Sequence, residues 1–218
     1  MRGRSSRGVI LLTGFEPFGG ALRNPSAEVA RAWHGREVGG ASVVGAVLPC
    51  VFGAARRELE LLLRRHRPAV VLCLGVAAGR DAITPERVAI NIDDARIPDN
   101  AGRQPVDRPI VRGGPAAYWS SLPIKAMVAD LRAHGFPAAV SQTAGTFLCN
   151  HVFYGLMHAV RLRRGVRAGF VHVPAMSEAA APGEPSLPLA AITGAIGVIM
   201  GTVSRSRRDL RAAGGATH

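Results

Sequence analysis

The stretch Ala139 to Asn150, which reads AVSQTAGTFLCN, is the most informative feature of this chain. An apolar, strand-like run turns at Gly145 and gives way to a helical pattern. Cys149 therefore falls in the first turn of the predicted helix, whose partly positive N-terminus favours a thiolate over a thiol. The helix is indicated by apolar residues at three- and four-residue spacing, namely Val152, Phe153, Leu156, Met157 and Val160.

A second informative segment, Gly169 to Pro174, reads GFVHVP and predicts a short buried strand that carries His172. A cysteine and a histidine are the minimum set for an enzyme that transfers acyl groups through a thiol. Either residue alone is weak evidence, because a lone cysteine or histidine in an apolar element more often serves packing.

Strand and helix patterns alternate along the whole chain. This alternation predicts a single-domain, three-layer α/β/α sandwich with a mainly parallel, mixed and twisted sheet. Active sites in such sheets gather at the carboxyl ends of the strands. The domain is expected over residues 9–204, between basic tails at residues 1–8 and 205–218. The expected strands are Val9–Thr13, Ser42–Leu48, Ala69–Leu74, Arg87–Ile92 and Ala138–Ser141; the other expected helices are Pro25–Trp33 with Asn24 as its cap, Phe52–Arg65, Pro123–Ala133 and Leu189–Val203.

The formal net charge of +12 raises the question of a nucleic-acid partner. Lys125 is the only lysine, so the positive charge is almost all arginine, and much of it lies near the two ends of the chain. Aromatic residues make up 5% of the chain, which leaves few platforms for stacking bases. We therefore interpret the arginines as solvated surface charge and expect no nucleic-acid partner.

The three cysteines, Cys50, Cys73 and Cys149, are widely spaced and contain no Cys-x-x-Cys pair. This spacing argues against a disulfide framework and a structural zinc site, and it favours a reducing, cytoplasmic compartment. The uncharged stretch 185–204 is long enough to span a bilayer, but its prolines, glycines and hydroxyl residues favour a buried helix. No membrane partner is expected.

Several further motifs occur in a fixed order with the two segments above: TGFEPFGG at Thr13–Gly20 followed by Asn24–Ser26, Gly75–Arg80, ITPERVAIN at Ile83–Asn91, and DARIPDN at Asp94–Asn100. Together they resemble the type I pyroglutamyl peptidases, a family of cysteine peptidases also called pyrrolidone-carboxylate peptidases. The resemblance covers roughly residues 9–204.

This resemblance implies an enzyme that removes an N-terminal pyroglutamyl residue from peptides through a thioester acyl-enzyme. The catalytic triad maps onto Cys149 as the nucleophile, His172 as the general base and Glu86 as the residue that orients the imidazole. No metal or cofactor is implied. By analogy with the family, the chain is expected to form a homodimer or a homotetramer.

The resemblance also implies a set of substrate-binding residues. Phe15 and Phe18 would flank the lactam ring, and Asn24 would supply a polar contact. A backbone carbonyl near Val76 would accept the lactam N–H, and Arg96 would help to stabilise the oxyanion.

Two departures from the family pattern leave an alternative open. Val76 stands where the family usually has a glutamine, and Ala175–Ser177 stands where the family tends to have a bulkier apolar residue and, further on, a proline. The alternative is a catalytically weak relative that binds modified N-termini or, through its surface arginines, nucleic acid. Salt-dependent binding of nucleic acid without peptidase turnover would favour that alternative.

Overall fold

The computed structural model describes residues 8–215, so residues 1–7 of the expected N-terminal tail and the last three residues lie outside it. Its helices are α1 (Pro25–Trp33), α2 (Ala54–His66), α3 (Ile124–Ala133), α4 (Leu148–Val160) and α5 (Leu189–Arg205). Its strands are β1 (Val9–Phe15), β2 (Glu37–Val38), β3 (Ala41–Leu48), β4 (Val70–Val76), β5 (Thr84–Pro85), β6 (Val88–Ile90), β7 (Ala117–Trp119), β8 (Arg167–Val173), β9 (Ala175–Met176) and β10 (Ser186–Leu187).

The main sheet has six strands in the order β2-β3-β1-β4-β8-β5. The four inner strands run parallel, and the short edge strands β2 and β5 are antiparallel to their neighbours. Because parallel strands end at the same edge, the carboxyl ends of β4 and β8 lie side by side. This sheet is the mixed, mainly parallel one that the sequence predicts.

Side chains of β1 alternate between two hydrophobic cores. Ile10 and Leu12 point into the core under α1, α3 and α5, whereas Leu11 and Phe15 point into the core under α2 and α4. Helices therefore cover both faces of the sheet, and the predicted three-layer sandwich is confirmed. No helix within residues 8–215 is long and apolar enough to cross a membrane.

The strand predicted at Ala138–Ser141 is wrong, because only isolated bridges form, from Ala138 to Ile83 and from Ser141 to Glu86. Between those bridges lies Pro85, which has no N–H to donate to a ladder. The strand predicted at Arg87–Ile92 is shorter and belongs elsewhere: β6 pairs with β7 in a separate two-stranded sheet.

The described part of the expected C-terminal tail is attached to the domain. Asp209 accepts the backbone N–H groups of Lys125 and Ala126 at the start of α3, each at 2.9 Å. The Gly214 carbonyl accepts hydrogen bonds from Arg87 (2.8 Å) and Gln142 (3.2 Å). Asp209 thus attaches residues 206–215 to the start of α3, and Gly214 attaches them to Arg87 and Gln142, the residues that follow Glu86 and Ser141.

Helix α1 lies unusually close to the sheet, and glycine makes this possible. A Cβ on Gly45 of β3 would lie 1.9 Å from the Ala30 carbonyl oxygen, and one on Gly14 of β1 would lie 2.1 Å from the Ser26 carbonyl oxygen. Both obstacles are backbone atoms, so a side-chain rotation cannot relieve them. This contact fixes the position of α1 against the sheet, and it therefore also positions the loop that joins β1 to α1.

We expect Gly45→Ala to lower the free energy of unfolding by roughly 1–3 kcal/mol, because the new methyl group forces α1 away from β3. Gly194→Ala in α5 is the control, since its Cβ would meet only Phe136 at 3.6 Å. The control should raise stability by about 0.4–1 kcal/mol. Urea unfolding followed by circular dichroism measures both, and an unchanged midpoint for Gly45→Ala would contradict the close contact.

Candidate active site

The sheet brings Glu86 and His172 together. Along β8, Phe170 and His172 point to the same face, and the Glu86 N–H donates to the Phe170 carbonyl at 2.9 Å. Glu86 Oε1 lies 2.7 Å from His172 Nδ1, and both side chains are buried. The carboxylate accepts the Nδ1 proton, which leaves Nε2 as the ring nitrogen that is able to take a proton.

Cys149 is the second residue of α4 and follows a turn in which Gly145 has a φ of 74°. Its sulfur rests against the sheet at Gly75, the residue of β4 that pairs with His172 of β8. A Cβ on Gly75 would lie 2.7 Å from Cys149 Sγ and 2.8 Å from Phe170 Cζ. Only glycine leaves room for the thiol beside His172.

Burial raises the pKa of the Cys149 thiol, and the nearby Cys50 and Glu86 raise it further. The Arg80 charge opposes this pKa shift. Burial thus opposes the predicted effect of the helix N-terminus, which favours the thiolate. That effect stays a prediction. Within residues 8–215 no hydrogen bond joins Sγ to His172, and such catalytic contacts often tighten only when substrate is bound.

Cys149 differs from the other two cysteines in its exposure. Its side chain is partly exposed, whereas Cys50 and Cys73 are buried. Burial raises the pKa of Cys50 and of Cys73 to about 12. Of the three thiols, only Cys149 is placed to meet a substrate.

A fourth polar residue, Arg80, contacts the Glu86–His172 pair. Arg80 Nη1 donates to Glu86 Oε1 at 2.9 Å and to Thr84 Oγ1 at 2.6 Å. Arg80 closes the motif Gly75–Arg80, but no role is predicted for it from the sequence. Arg80 lies in the loop between β4 and β5, whereas Glu86 follows β5. Because this contact depends on the conformation of the loop, no periodic spacing in the sequence predicts it.

Asn150 and His151, which follow Cys149, fasten the start of α4. The Asn150 amide makes three hydrogen bonds with the backbone of Ile90 and Ile92, at 2.9–3.0 Å. His151 Nε2 accepts the Gly53 N–H at 3.1 Å, so its Nδ1 carries the proton and donates to Asp93 at 2.9 Å. These contacts fix Cys149 relative to the segment that follows Glu86.

A cavity of about 560 Å³ opens beside the carboxyl end of β4. Phe18, Asn24 and Val76, three of the residues predicted to bind substrate, line it. Ala175 and Met176, from the segment that departs from the family pattern, also line it. Val76 directly follows Gly75, against which the Cys149 sulfur lies, but Cys149 itself is not among the residues that line the cavity.

The structure gives Phe15 and Asn24 structural contacts. Phe15 is buried, and its ring packs against Phe170 with 6.4 Å between centroids, so it lies outside the walls of this cavity. The Asn24 amide caps α1: its Oδ1 accepts from Ser26 N–H and O–H, and its Nδ2 donates to the Glu16 carbonyl. Their roles in substrate binding stay predictions.

Arg96 is exposed, and within residues 8–215 no hydrogen bond or ion pair holds its side chain at the Glu86–His172 pair. Its predicted role toward the oxyanion stays a prediction too. Within the same residues, no group of three or more His, Cys, Asp or Glu side chains is arranged to hold a metal ion.

Two aromatic residues lie next to the site although the sequence patterns do not single them out. Phe147, which precedes α4, lies 6.1 Å from Phe18 and 5.4 Å from Phe52 between ring centroids. Phe52 also packs edge-on against His151 at 5.3 Å. Phe147 stands two residues before Cys149 in the sequence. This short separation from the predicted nucleophile is the signal that could have marked Phe147 as a residue of the site.

Comparisons with known proteins show the family. The family model described as pyroglutamyl peptidase matches residues 8–206. Pyrrolidone-carboxylate peptidases of Klebsiella pneumoniae and Cupriavidus taiwanensis are 52% and 55% identical, each over 96% of this chain and 99% of its own length. The crystal structure of pyroglutamyl peptidase I from Bacillus amyloliquefaciens matches 95% of this chain and 100% of its own, with a TM-score of 0.92 and 45% identity. The chain belongs to the pyroglutamyl peptidase family.

Proposed function

We propose that this chain is a cysteine peptidase that removes an N-terminal pyroglutamyl residue from peptides. The observation that carries the proposal is the buried Glu86–His172 hydrogen bond of 2.7 Å beside the Cys149 thiol. Membership of the pyroglutamyl peptidase family supports this function over a binding protein that lacks turnover.

The reaction begins with proton transfer from Cys149 to His172. Because burial raises the pKa of the thiol, the proton leaves the sulfur only as a base takes it. His172 Nε2 is the free ring nitrogen, and Glu86 stabilises the imidazolium that forms. The sulfur then attacks the carbonyl carbon of the pyroglutamyl group, and the carbonyl oxygen becomes an oxyanion.

The start of α4 can stabilise that oxyanion. No side chain caps this helix end, so its first backbone N–H groups are available beside Cys149. The imidazolium returns its proton to the nitrogen of the next residue, the C–N bond breaks and a thioester remains on Cys149. His172 then deprotonates a water molecule, which hydrolyses the thioester and releases pyroglutamate.

The cavity beside Val76 suits a small neutral lactam. Phe18, Val76 and Met176 give it an apolar lining, and backbone groups at the end of β4 can bind the ring amide. A lactam carries no charge, so its ring can pack against the apolar Val76 side chain. This contact does not need the glutamine that the family usually has at this position.

The location and the oligomeric state of the chain are also part of this proposal. We infer a cytoplasmic location from the three free cysteines, which suit a reducing compartment. We also infer a homodimer or homotetramer, for which the support is the family resemblance.

Cys149→Ala should abolish hydrolysis of a chromogenic pyroglutamyl amide, because no thioester can form. The unchanged chain should hydrolyse this amide but not the corresponding prolyl amide, which lacks the ring carbonyl. Cys73→Ala, at a buried cysteine of β4, is the matched control and should keep its activity. Full turnover by the Cys149→Ala variant would end the proposal.

His172→Ala should lower kcat by roughly 10²–10⁴-fold, because the group that moves the proton is lost. Glu86→Gln should cause a smaller but substantial loss, since it removes the charge that stabilises the imidazolium. Steady-state kinetics of both variants would be compared with Glu60→Gln, which changes an exposed carboxylate of α2. A Glu86→Gln variant as fast as Glu60→Gln would exclude Glu86 from the triad.

A further inference from the structure

Three hydrogen-bond acceptors hold Arg80, and one of them is Glu86. In addition to its bonds to Glu86 Oε1 and Thr84 Oγ1, Arg80 Nη2 donates to the Thr143 carbonyl at 3.3 Å. Thr84 and Thr143 lie on separate segments that flank Glu86 and Cys149. The guanidinium is thus fixed in orientation, while 32% of the Arg80 side chain remains exposed.

Glu86 needs this cation more than an exposed carboxylate would. Its side chain is fully buried, and its second oxygen, Oε2, has no hydrogen-bond partner within residues 8–215. Oε1 accepts from both His172 Nδ1 and Arg80 Nη1. Burying a carboxylate costs several kcal/mol unless it is paired, and within the described residues Arg80 is the permanently charged group that pairs with it.

The charges of the site balance only when Arg80 is included. The proposed reaction starts from a Cys149 thiol and a His172 imidazole, beside the ion pair of Arg80 and Glu86. After proton transfer, the thiolate and the imidazolium add one negative and one positive charge. Without Arg80, the buried site would carry a net negative charge in both states, and formation of a thiolate beside Glu86 would be opposed.

We propose that Arg80 is a positioning residue for the acyl-transfer reaction: it holds the Glu86 carboxylate against His172 and balances the charge of Glu86, so that a thiolate can form beside it. This proposal rests on the proposed function of Cys149, His172 and Glu86. Arg80 acts through Glu86 and does not itself contact the reacting atoms.

The first test compares Arg80→Met with Arg56→Met. Arg56 of α2 is a matched control, because its side chain is also 32% exposed, pairs with a glutamate and donates to a backbone carbonyl. We expect Arg80→Met to lower kcat roughly tenfold to hundredfold with KM unchanged, since the lost interaction strengthens in the transition state. Arg56→Met should keep the kcat of the unchanged chain.

The second test separates the charge of Arg80 from its contribution to the fold. In Arg80→Ala, guanidinium ions at concentrations below those that unfold the protein should restore part of kcat, because they can occupy the exposed space. Arg80→Lys should recover part of kcat as well. A loss of kcat that neither guanidinium nor lysine reverses would show a purely structural role and would overturn the proposal.

The third test needs no substrate. Alkylation of Cys149 by iodoacetamide, followed by peptide mapping, should be roughly tenfold slower in Arg80→Met than in Arg56→Met, because the Arg80 charge favours the thiolate. Equal alkylation rates, or an unchanged kcat, would overturn the proposal. If the unchanged chain failed to hydrolyse pyroglutamyl amides, the proposed function would fail while this comparison of alkylation rates remained a test of Arg80.

Discussion

The site depends on one buried interaction, the hydrogen bond from His172 Nδ1 to Glu86 Oε1. A carboxylate with no exposure is stable in a hydrophobic core only when partners surround it, and here the partners come from separate segments. His172 comes from β8, and Arg80 comes from the loop after β4. Each segment must therefore reach its native place before the charge can be buried, which couples the catalytic pair to the fold.

The topology of the sheet supplies that coupling. Parallel β4 and β8 set Gly75 beside His172, and antiparallel β5 brings Glu86 back along β8 to the same face. Helix α4 then places Cys149 over Gly75, where only a hydrogen atom separates the backbone from the sulfur. Asn150 and His151 hold this helix end to the segment after Glu86 and to the start of α2. The nucleophile is thus fixed by contacts that its own side chain does not make.

Local patterns in the sequence predict most elements of this fold, because their causes are local. Helix α1 begins after Asn24 and ends at Trp33 as expected, since its cap and its apolar spacing lie within one short segment. The strand expected at Ala138–Ser141 fails because its partner segment contains Pro85, and a proline's effect on a neighbouring strand depends on tertiary pairing. The raised pKa of Cys149 has a similar origin, since desolvation depends on everything packed around the thiol and not on its place in the helix. For the same reason, neither the ion pair of Arg80 nor the packing of Phe15 against Phe170 could be predicted.

In the proposed mechanism, the Cys149 sulfur carries a pyroglutamyl group during turnover. Rapid acid quenching of the chain mixed with a pyroglutamyl ester or amide, followed by mass spectrometry of its peptides, tests this claim directly. We expect a mass increase of one pyroglutamyl group on the peptide that contains Cys149. Hydroxylamine should remove this group, because it cleaves thioesters. Turnover of the same substrate with no such adduct on Cys149, or with the group attached to another residue, would contradict the proposed mechanism.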